Sequence, residues 1–280
     1  MIRILIFLIR LMPHKISLSF GRLIGRILRL VLWKKTDRCE SRCVEALGVG
    51  VTIAREIIKR SYMNLGMSAI EFIRFPKMKD DVKNFMSFDD DSITLLKNSL
   101  SLEHGVILMA SHSDNWELAA MRVISEGFEL NAVYTPQKNT GGINDEIMRI
   151  RTEVIKMKMT DNKGAGLREI FRTLKSNGII VIMQDLDARK DGVITNFLGL
   201  PASTHDGIIK LHEKFKCPVI GVKCTRDWKN PEHHVLKFCE IKNVTLDSCN
   251  KFIEDCIKEN PELWLWLMDR WEYTYKMKMI

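Results

Sequence analysis

One histidine in this chain stands where it could serve as a general base. His112 follows the apolar run of residues 106–110, and Glu117 comes five residues later, where a helical pattern begins. A carboxylate on one imidazole nitrogen fixes the tautomer and stabilises the imidazolium, so the other nitrogen can take a proton from a substrate hydroxyl. We therefore expect Glu117 to lie one turn into the helix and to point back at His112.

The five-residue spacing of His112 and Glu117 is weaker evidence for a functional pair than their placement at the end of a strand. With seven histidines and 35 acidic residues, about one such pair is expected by chance. Asp114 and Glu117 also fit a D-x-x-E capping box, in which both acids cap the helix. Ser111 and Ser113 are candidate nucleophiles beside the histidine. Because the chain has no G-x-S-x-G motif, direct transfer to an external hydroxyl is favoured over an acyl-enzyme.

Short apolar runs alternate with helical patterns from residue 104 onward. The apolar runs cover residues 105–111, 130–136, 178–185, 218–225 and 235–242. Helical patterns lie near residues 115–126, 143–158, 166–176 and 206–216, and an earlier one covers residues 41–74. This alternation predicts an α/β fold with a largely parallel central sheet flanked by helices. His112 and Asp185 both follow an apolar run directly, which places both at the carboxyl edge of the sheet.

The amino terminus is both apolar and basic. Residues 1–38 contain nine basic residues and one acidic residue, which accounts for the whole net charge of +8. Residues 1–12 are too few to cross a bilayer, which needs about 20 residues. In residues 16–33, Arg22, Arg26 and Arg29 recur at helical spacing among aliphatic residues, a pattern typical of an interfacial amphipathic helix. A helix packed on the domain and a spanning helix are the alternatives, and three arginines disfavour the second.

The rest of the composition disfavours a nucleic-acid-binding protein, a disulfide-stabilised protein and a metalloprotein. Beyond residue 38 the chain is formally neutral, so an anionic membrane surface fits the charge better than a nucleic acid does. The seven cysteines form no CxxC pair, and their odd number suits free thiols in a reducing compartment. There is no H-E-x-x-H motif and no histidine cluster beyond His233-His234, so we expect no metal site.

Four motifs in chain order resemble one known family. Ser111-His-Ser-Asp-Asn-Trp-Glu117 resembles the H-x4-D/E signature of glycerolipid acyltransferases, in the "HxGNWE" form of the bacterial lipid A biosynthesis (late) acyltransferases. Residues 134–139 with Arg151 resemble the family's Y-R-P-x-x-N…R block. Gln184-Asp185 with residues 197–207 resembles its D-Q-D…F-F-G-x-P-A-x-T-x-x-G block, and residues 260–271 resemble its P-E-Q-W-x-W ending. The resemblance covers roughly residues 15 to 275.

The resemblance implies a reaction and a place for it. An enzyme of the lauroyl/myristoyl-transferase type moves a fatty acyl chain from acyl carrier protein, or less often from CoA, to a hydroxyl of a lipid A precursor, without a further cofactor. Its partners would be the carrier protein, the glycolipid acceptor and the anionic cytoplasmic face of the inner membrane. On this view residues 1–38 associate with the membrane, and residues 39–280 form the acyltransferase domain.

The resemblance also assigns roles to single residues. His112 would be the base and Glu117 its partner, and Arg151 would bind phosphate or the developing oxyanion. The remaining substrate-binding residues implied by the motifs are Asn115, Gln184, Asp185, Phe197, Gly199 and Thr204. Each has a plainer interpretation: Arg151 as a solvated helix residue, Asp185 as the cap of a turn, and residues 197–204 as a loop. Trp264, Trp266 and Trp271 are expected to lie in the core or an interface.

The motifs depart from the family pattern at several positions. Ser113-Asp114 stands where the family prefers an aromatic or small residue followed by glycine, and Thr135 replaces an arginine. Met183 and Met268-Asp269 replace an aspartate and a His-Arg pair. These changes leave open a different glycolipid or phospholipid acceptor, hydrolysis by the same histidine, or a non-catalytic membrane-binding protein.

Overall fold

A seven-stranded sheet forms the centre of the chain. The structure is a computed structural model, and it describes residues 2–89, 91–135 and 142–280. The strands are β1 (Met86–Phe88), β2 (Val106–Ala110), β3 (Leu130–Tyr134), β4 (Lys158–Asp161), β5 (Ile179–Met183), β6 (Val193–Phe197), β7 (Leu200–Thr204), β8 (Val219–Arg226) and β9 (His234–Glu240). The sheet has the order β1-β9-β8-β2-β5-β3-β4, while β6 and β7 form a separate antiparallel hairpin.

The sheet is mostly parallel, as the alternating pattern predicts. Strands β8, β2, β5, β3 and β4 run in one direction. Strand β9 is antiparallel to β8, and β1 is parallel to β9, so the last two strands at this end of the sheet run the other way. The five predicted apolar runs became β2, β3, β5, β8 and β9. Strands β1, β4, β6 and β7 were not predicted, because they are short and carry no continuous apolar run.

Helices cover the sheet and extend along the amino-terminal third of the chain. They are α1 (Ile2–Leu11), α2 (His14–Val31), α3 (Trp33–Leu47), α4 (Val51–Met78), α5 (Val82–Phe85), α6 (Ser92–Leu100), α7 (Trp116–Ile124), α8 (Gly142–Arg149), α9 (Ala165–Lys175), α10 (Gly207–Phe215), α11 (Leu246–Glu259) and α12 (Glu272–Lys276). A π-helical segment, Ile150–Val154, continues α8. The predicted boundary between residues 38 and 39 falls inside α3.

Helix α4 corrects two expectations about the helical region of residues 41–74. The region is broken at Gly48, which ends α3 with a left-handed φ of 64°. Helix α4 then continues past the predicted end at residue 74, through Pro76 to Met78. Pro76 lies in the last turn, and the backbone hydrogen bond lost there is outweighed by the burial of Phe75 and Met78 on either side.

Both faces of the sheet are buried under helices. Along β2, Val106 and Leu108 belong to one apolar cluster, while Ile107 and Met109 belong to the cluster on the opposite face. Successive side chains of a strand point to opposite faces, so a continuous apolar run is what a sheet covered on both sides requires. The apolar core therefore forms two layers, one on each face of the sheet. The carboxyl ends of the parallel strands lie between these layers.

Helix α2 packs against α4 at unusually short range, through glycines. A Cβ atom on Gly21 would lie 2.7 Å from the carbonyl oxygen of Gly66. A Cβ atom on Gly25 or Gly66 would also overlap backbone atoms of the facing helix. The G-x-x-x-G spacing of α2 thus lets two backbones meet, as small residues do at other close helix crossings. None of the helices in the described ranges has both the length and the apolar character needed to cross a bilayer.

Candidate active site

His112 and Asp185 meet because two neighbouring strands end at the same level. In the parallel pair β2 and β5, Ala110 is in register with Met183. His112 follows Ala110 by two residues, and Asp185 follows Met183 by two residues. The two side chains therefore emerge side by side at the carboxyl edge of the sheet.

Asp185 holds the imidazole of His112 through two contacts. Its Oδ1 lies 2.8 Å from Nδ1 of His112, and its Oδ2 accepts the backbone N–H of His112 at 2.7 Å. The indole N–H of Trp264 donates to the same Oδ2 at 2.9 Å. Burial by itself would raise the pKa of Asp185, but the imidazole and these N–H donors hold it below its usual value. Asp185 is thus an ionised, wholly buried carboxylate that orients the ring and leaves Nε2 for a substrate.

Glu117 makes a different contact from the one expected. Its Oε1 accepts from Nε of Arg151 at 3.0 Å and from Nη2 at 2.5 Å, and the indole N–H of Trp116 donates to it at 3.2 Å. The expectation that Glu117 holds the imidazole is therefore wrong: the carboxylate on the ring is Asp185. Sequence proximity suggested Glu117, whereas the level strand ends bring Asp185 from 73 residues away.

Arg151 and Glu117 form a charged pair at the rim of the cavity that contains His112. Arg151 lies in the π-helical segment after α8, and about a quarter of its side chain is exposed. Its contacts to Glu117 use Nε and Nη2, and Nη1 has no hydrogen-bond partner among residues 2–89, 91–135 and 142–280. A guanidinium held in this way is a fixed positive charge in the same cavity as the base.

The cavity beside His112 has a volume of about 770 Å³ and two kinds of wall. Its polar rim includes His112, Glu117 and Arg151. Its interior between α7 and the sheet is apolar, and is lined by Leu108, Ala110, Ala119, Ala120, Val123, Leu130, Ala132, Met157, Met159, Val181, Val222 and Phe238. Alanines on α7 and on the facing strands leave this space open. The volume is within the range of small-molecule sites, and the lining suits a hydrocarbon chain.

The start of α7 is capped by Asn115. Its Oδ1 accepts the backbone N–H of Leu118 at 3.0 Å, and its Nδ2 donates to Glu71 at 2.8 Å. The interpretation of Asp114 and Glu117 as a capping box is thus wrong, because the cap lies one residue later than that pattern places it. Asn115 is buried and does not line the cavity, and the substrate contact implied for it stays a prediction.

Gln184 is also engaged with the protein. Its Nε2 donates to the carbonyl oxygen of His205 at 2.7 Å, and its backbone N–H donates to Ala110. Like Asp185, it is buried and does not line the cavity, although both were expected to bind substrate. Gln184 instead ties the end of β5 to the segment before α10, where His205 does face the cavity.

Phe197, Gly199 and Thr204 belong to a structural unit away from the cavity. Phe197 is fully buried against Trp264 and Trp271, with ring centroids 6.0 and 5.9 Å apart, and Gly199 turns the hairpin between β6 and β7 with a φ of 81°. None of these three lines the cavity, and the substrate contacts implied for them stay predictions.

Arg270 joins this hairpin to the end of the chain. Its guanidinium donates to the hydroxyl of Thr204 at 2.6 Å and to the carbonyl of Ser203, and it lies 4.9 Å from the ring of Phe197. Burial lowers the pKa of Arg270 to about 10. The third and fourth motifs thus form a single packed unit, and Trp264, Trp266 and Trp271 are core residues, as expected.

The carboxyl-terminal segment around Trp264 also forms hydrogen bonds with the backbone around His112. Leu265 donates its N–H to the carbonyl oxygen of His112 at 2.9 Å, and Asp114 donates to that of Leu263 at 2.8 Å. Ser113 and Trp264 form an antiparallel bridge between these bonds. Beyond the spacing of the tryptophans, nothing in the sequence points to this contact. Tyr134 and Thr135 of the second motif are described, while residues 136–139 lie outside the described residues.

Fold and site together define an α/β protein with a histidine–carboxylate pair above an apolar cavity. A family model identifies the class more closely: the bacterial lipid A biosynthesis acyltransferases match residues 1–273 of the chain. The chain belongs to this family, and is accordingly an acyltransferase of lipid A biosynthesis that acts on a glycolipid acceptor. A search of curated proteins returned no match.

Proposed function

We propose that this protein is a membrane-associated late acyltransferase, which moves a fatty acyl chain from acyl carrier protein to a hydroxyl of a lipid A precursor. The observation that carries the proposal is the His112–Asp185 pair at the rim of an apolar cavity of about 770 Å³. A base at the rim and a hydrocarbon site behind it are what acyl transfer to an external hydroxyl needs. No cofactor takes part in the proposed reaction.

His112 acts as the general base in this proposal. Its Nε2 takes the proton of the acceptor hydroxyl while the hydroxyl oxygen attacks the carbonyl carbon of the thioester. When the tetrahedral intermediate collapses, the carbon–sulfur bond breaks, and the imidazolium returns the proton to the leaving thiolate. Asp185 stabilises the imidazolium between these two steps, because its carboxylate is fixed on Nδ1.

Arg151 stabilises the negative charge that develops on the carbonyl oxygen. Its guanidinium is kept in place by Glu117, and within the described part of the chain no acceptor occupies Nη1. Charge stabilisation by a preorganised donor is among the largest catalytic contributions, because nothing needs to reorient as the charge forms. Glu117 is therefore a positioning residue for Arg151, in contrast to the direct role at the histidine that its motif implies.

The acyl chain of the donor lies between α7 and the sheet. This part of the cavity is bounded by Ala119 and Val123 of α7 and by Ala132 and Val181 of the strands, so it offers a hydrocarbon no polar competitor. The depth of this part of the cavity would limit the length of the acyl chain. The more polar rim, with Asn162, Asp206 and Lys210, is left for the thioester carrier and the acceptor head group.

The amino-terminal helices bring the site to the cytoplasmic face of the inner membrane. Their exposed apolar side chains are Phe7, Leu8, Leu11, Ile16, Leu23, Ile27, Leu30, Val31 and Trp33. Exposed basic residues, among them Lys15, Arg26, Lys34 and Lys35, lie in the same segment. Apolar burial and attraction to anionic lipids together give interfacial binding. The same basic charge would steer an acidic carrier protein towards the site.

Mass spectrometry of the acceptor lipid tests the proposal. Purified protein would be incubated with acyl carrier protein thioesters and a deacylated lipid A precursor. A mass gain of one acyl group supports the proposal, and a requirement for total membrane lipids instead of the precursor would point to another acceptor. Free fatty acid without an acylated lipid would identify a hydrolase. If the thioester is not consumed under any condition, the protein is non-catalytic.

A further inference from the structure

Four charged side chains form a sealed cluster behind the loop that carries His112. Glu71, Asp114, Arg226 and His234 are each buried from solvent, with no exposed side-chain surface. Arg226 donates to Glu71 at 2.7 and 3.0 Å and to Oδ1 of Asp114 at 3.2 Å. His234 lies between the two acids, with Nδ1 2.6 Å from Asp114 and Nε2 3.2 Å from Glu71.

Asp114 has a backbone conformation that L-residues rarely adopt. Its φ is 52°, in the left-handed region that favours glycine. The chain has therefore placed a side chain where the turn itself would favour none. The turn is also held from outside, because the N–H of Asp114 donates to Leu263 and the hydroxyl of Ser68 donates to its carbonyl oxygen.

Asp114 stands between the two parts of the site. His112 lies two residues before it, and Glu117, which holds Arg151, lies three residues after it. The dihedral angles at Asp114 therefore set the direction in which α7 leaves the base. A different turn would move the Glu117–Arg151 pair relative to His112 without changing any residue that touches the substrate.

The cluster resembles a metal site in composition and differs from one in its contacts. Asp114, Cys224 and His234 bring three potential zinc ligands within 4.8 Å of one another. However, Arg226 already places a positive charge on Asp114, and the thiol of Cys224 donates to Oδ2 of Asp114 at 3.2 Å. Burial raises the pKa of Cys224 far above its usual value, so the thiol keeps its proton. The two acids face an arginine and a histidine whose pKa they raise, so the cluster supplies its own positive partners without a metal ion.

We infer that Asp114 is a positioning residue, whose carboxylate is tethered to Arg226 and His234 and holds the catalytic loop in its left-handed turn. The tether stabilises a left-handed turn that a glycine would adopt without strain. It also fixes the angle between His112 and the first turn of α7. The catalytic consequence rests on the proposed acyltransferase function. The structural consequence, a loop that loosens when the carboxylate is removed, does not depend on it.

The test compares Asp114→Gly and Asp114→Asn in the full-length protein. Asp114→Gly fits the turn but removes the tether, whereas Asp114→Asn keeps the shape and an oxygen that Arg226 can reach. Lys216→Gly is the matched control, because Lys216 also has a positive φ of 57° but is exposed at the end of α10. Amide hydrogen exchange over residues 112–118 and the kcat and KM of acyl transfer are measured for each variant, together with zinc content.

A tether predicts faster exchange and slower turnover in Asp114→Gly. Exchange over residues 112–118 should rise by at least about tenfold, and kcat should fall by about 100-fold with little change in KM, the size expected for a misplaced catalytic group. The exchange rate and kcat of Asp114→Asn should lie between those of Asp114→Gly and the wild type. Both values of Lys216→Gly should match those of the wild type. Wild-type exchange in both Asp114 variants would overturn the inference, even if the protein shows no acyl transfer. One zinc ion per chain that is lost in Cys224→Ser would overturn it as well.

Discussion

His112 and Asp185 form the central pair of this protein, with Nδ1 of the imidazole 2.8 Å from Oδ1 of the buried carboxylate. Each residue follows its strand by two positions, and the strands β2 and β5 are parallel neighbours in register. Trp264 donates to the second oxygen of the same carboxylate, so the carboxyl-terminal segment supports the pair from behind. The base is thus oriented by the sheet and by the end of the chain together.

Replacement of Asp185 should separate its role from that of Glu117. Asp185→Asn removes the charge that stabilises the imidazolium, so kcat should fall by at least about 100-fold, as expected when a general base loses its support. Glu117→Gln leaves the imidazole pair intact and removes the charge that holds Arg151. Steady-state kinetics over a range of pH should therefore show a changed pH dependence of kcat for the first variant only. An unchanged profile in Asp185→Asn would contradict the assignment of the pair.

Introduction of a side chain at Gly25 should destabilise the docking of α2 on α4. A Cβ atom at this position overlaps the backbone at Tyr62, so Gly25→Val should lower the free energy of unfolding by about 1–3 kcal/mol or more. Gly207→Ala is the control, because its Cβ atom would meet no atom within 4 Å. Urea denaturation of both variants measures the effect, and equal stability of the two would rule out the close packing.

Removal of exposed apolar side chains from α2 should weaken membrane binding. Leu30 and Val31 are 71% and 68% exposed, and Leu30→Ser with Val31→Ser removes their contribution to interfacial binding without touching the face that meets α4. Sedimentation with anionic vesicles should fall clearly. The matched control is Val51→Ser with Ile53→Ser, a pair that is similarly exposed at the start of α4. An equal loss of vesicle binding in the two double variants would show that α2 is not the docking surface.

The buried cluster should make stability depend on pH through His234. Burial alone would lower the pKa of His234, but the facing carboxylates of Asp114 and Glu71 raise it above 6.5, against the opposing charge of Arg226. The stabilisation is therefore fully present below the unfolded pKa of 6.5 and is lost as the pH rises through the raised folded value.

Denaturation curves at several pH values above and below 6.5 measure this dependence. His14, Arg74 and the Cys224 thiol also border the cluster, so the comparison is made between matched variants rather than with the wild type alone. His234→Gln should flatten the decline, while His104→Gln, at an exposed position, should keep it. An unchanged slope in His234→Gln would show that the imidazole does not carry a proton in the folded protein.

Much of the fold followed from the sequence because β2, β5 and β8 are buried on both faces. Such strands must be continuous apolar runs, which a sequence displays directly. Strand β4 (Lys158–Asp161) and the hairpin of β6 and β7 are stabilised by their neighbours in space, and their sequences carry no comparable run. The passage of α4 through Pro76 also depends on tertiary burial that outweighs a local preference.

The site was predicted only where the sequence places residues at a strand end. His112 and Asp185 were both placed at the carboxyl edge, but their pairing depends on the adjacency of β2 and β5, which chain order does not reveal. Glu117 was assigned to the histidine because it is close in sequence, and its actual partner Arg151 is 34 residues away. The motif around Phe197 was interpreted as a binding loop, because its role in packing the terminal tryptophans is visible only in three dimensions.

The most direct measurement of the central claim is the rate of acyl transfer by His112→Gln. The glutamine keeps a polar side chain of similar size but cannot act as a base, so kcat should fall by at least about 100-fold while the protein remains folded. His104→Gln, at an exposed position, is the control and should retain the wild-type rate. A near-normal rate in His112→Gln would contradict the mechanism, because the transfer would then not need the imidazole that Asp185 orients towards the cavity.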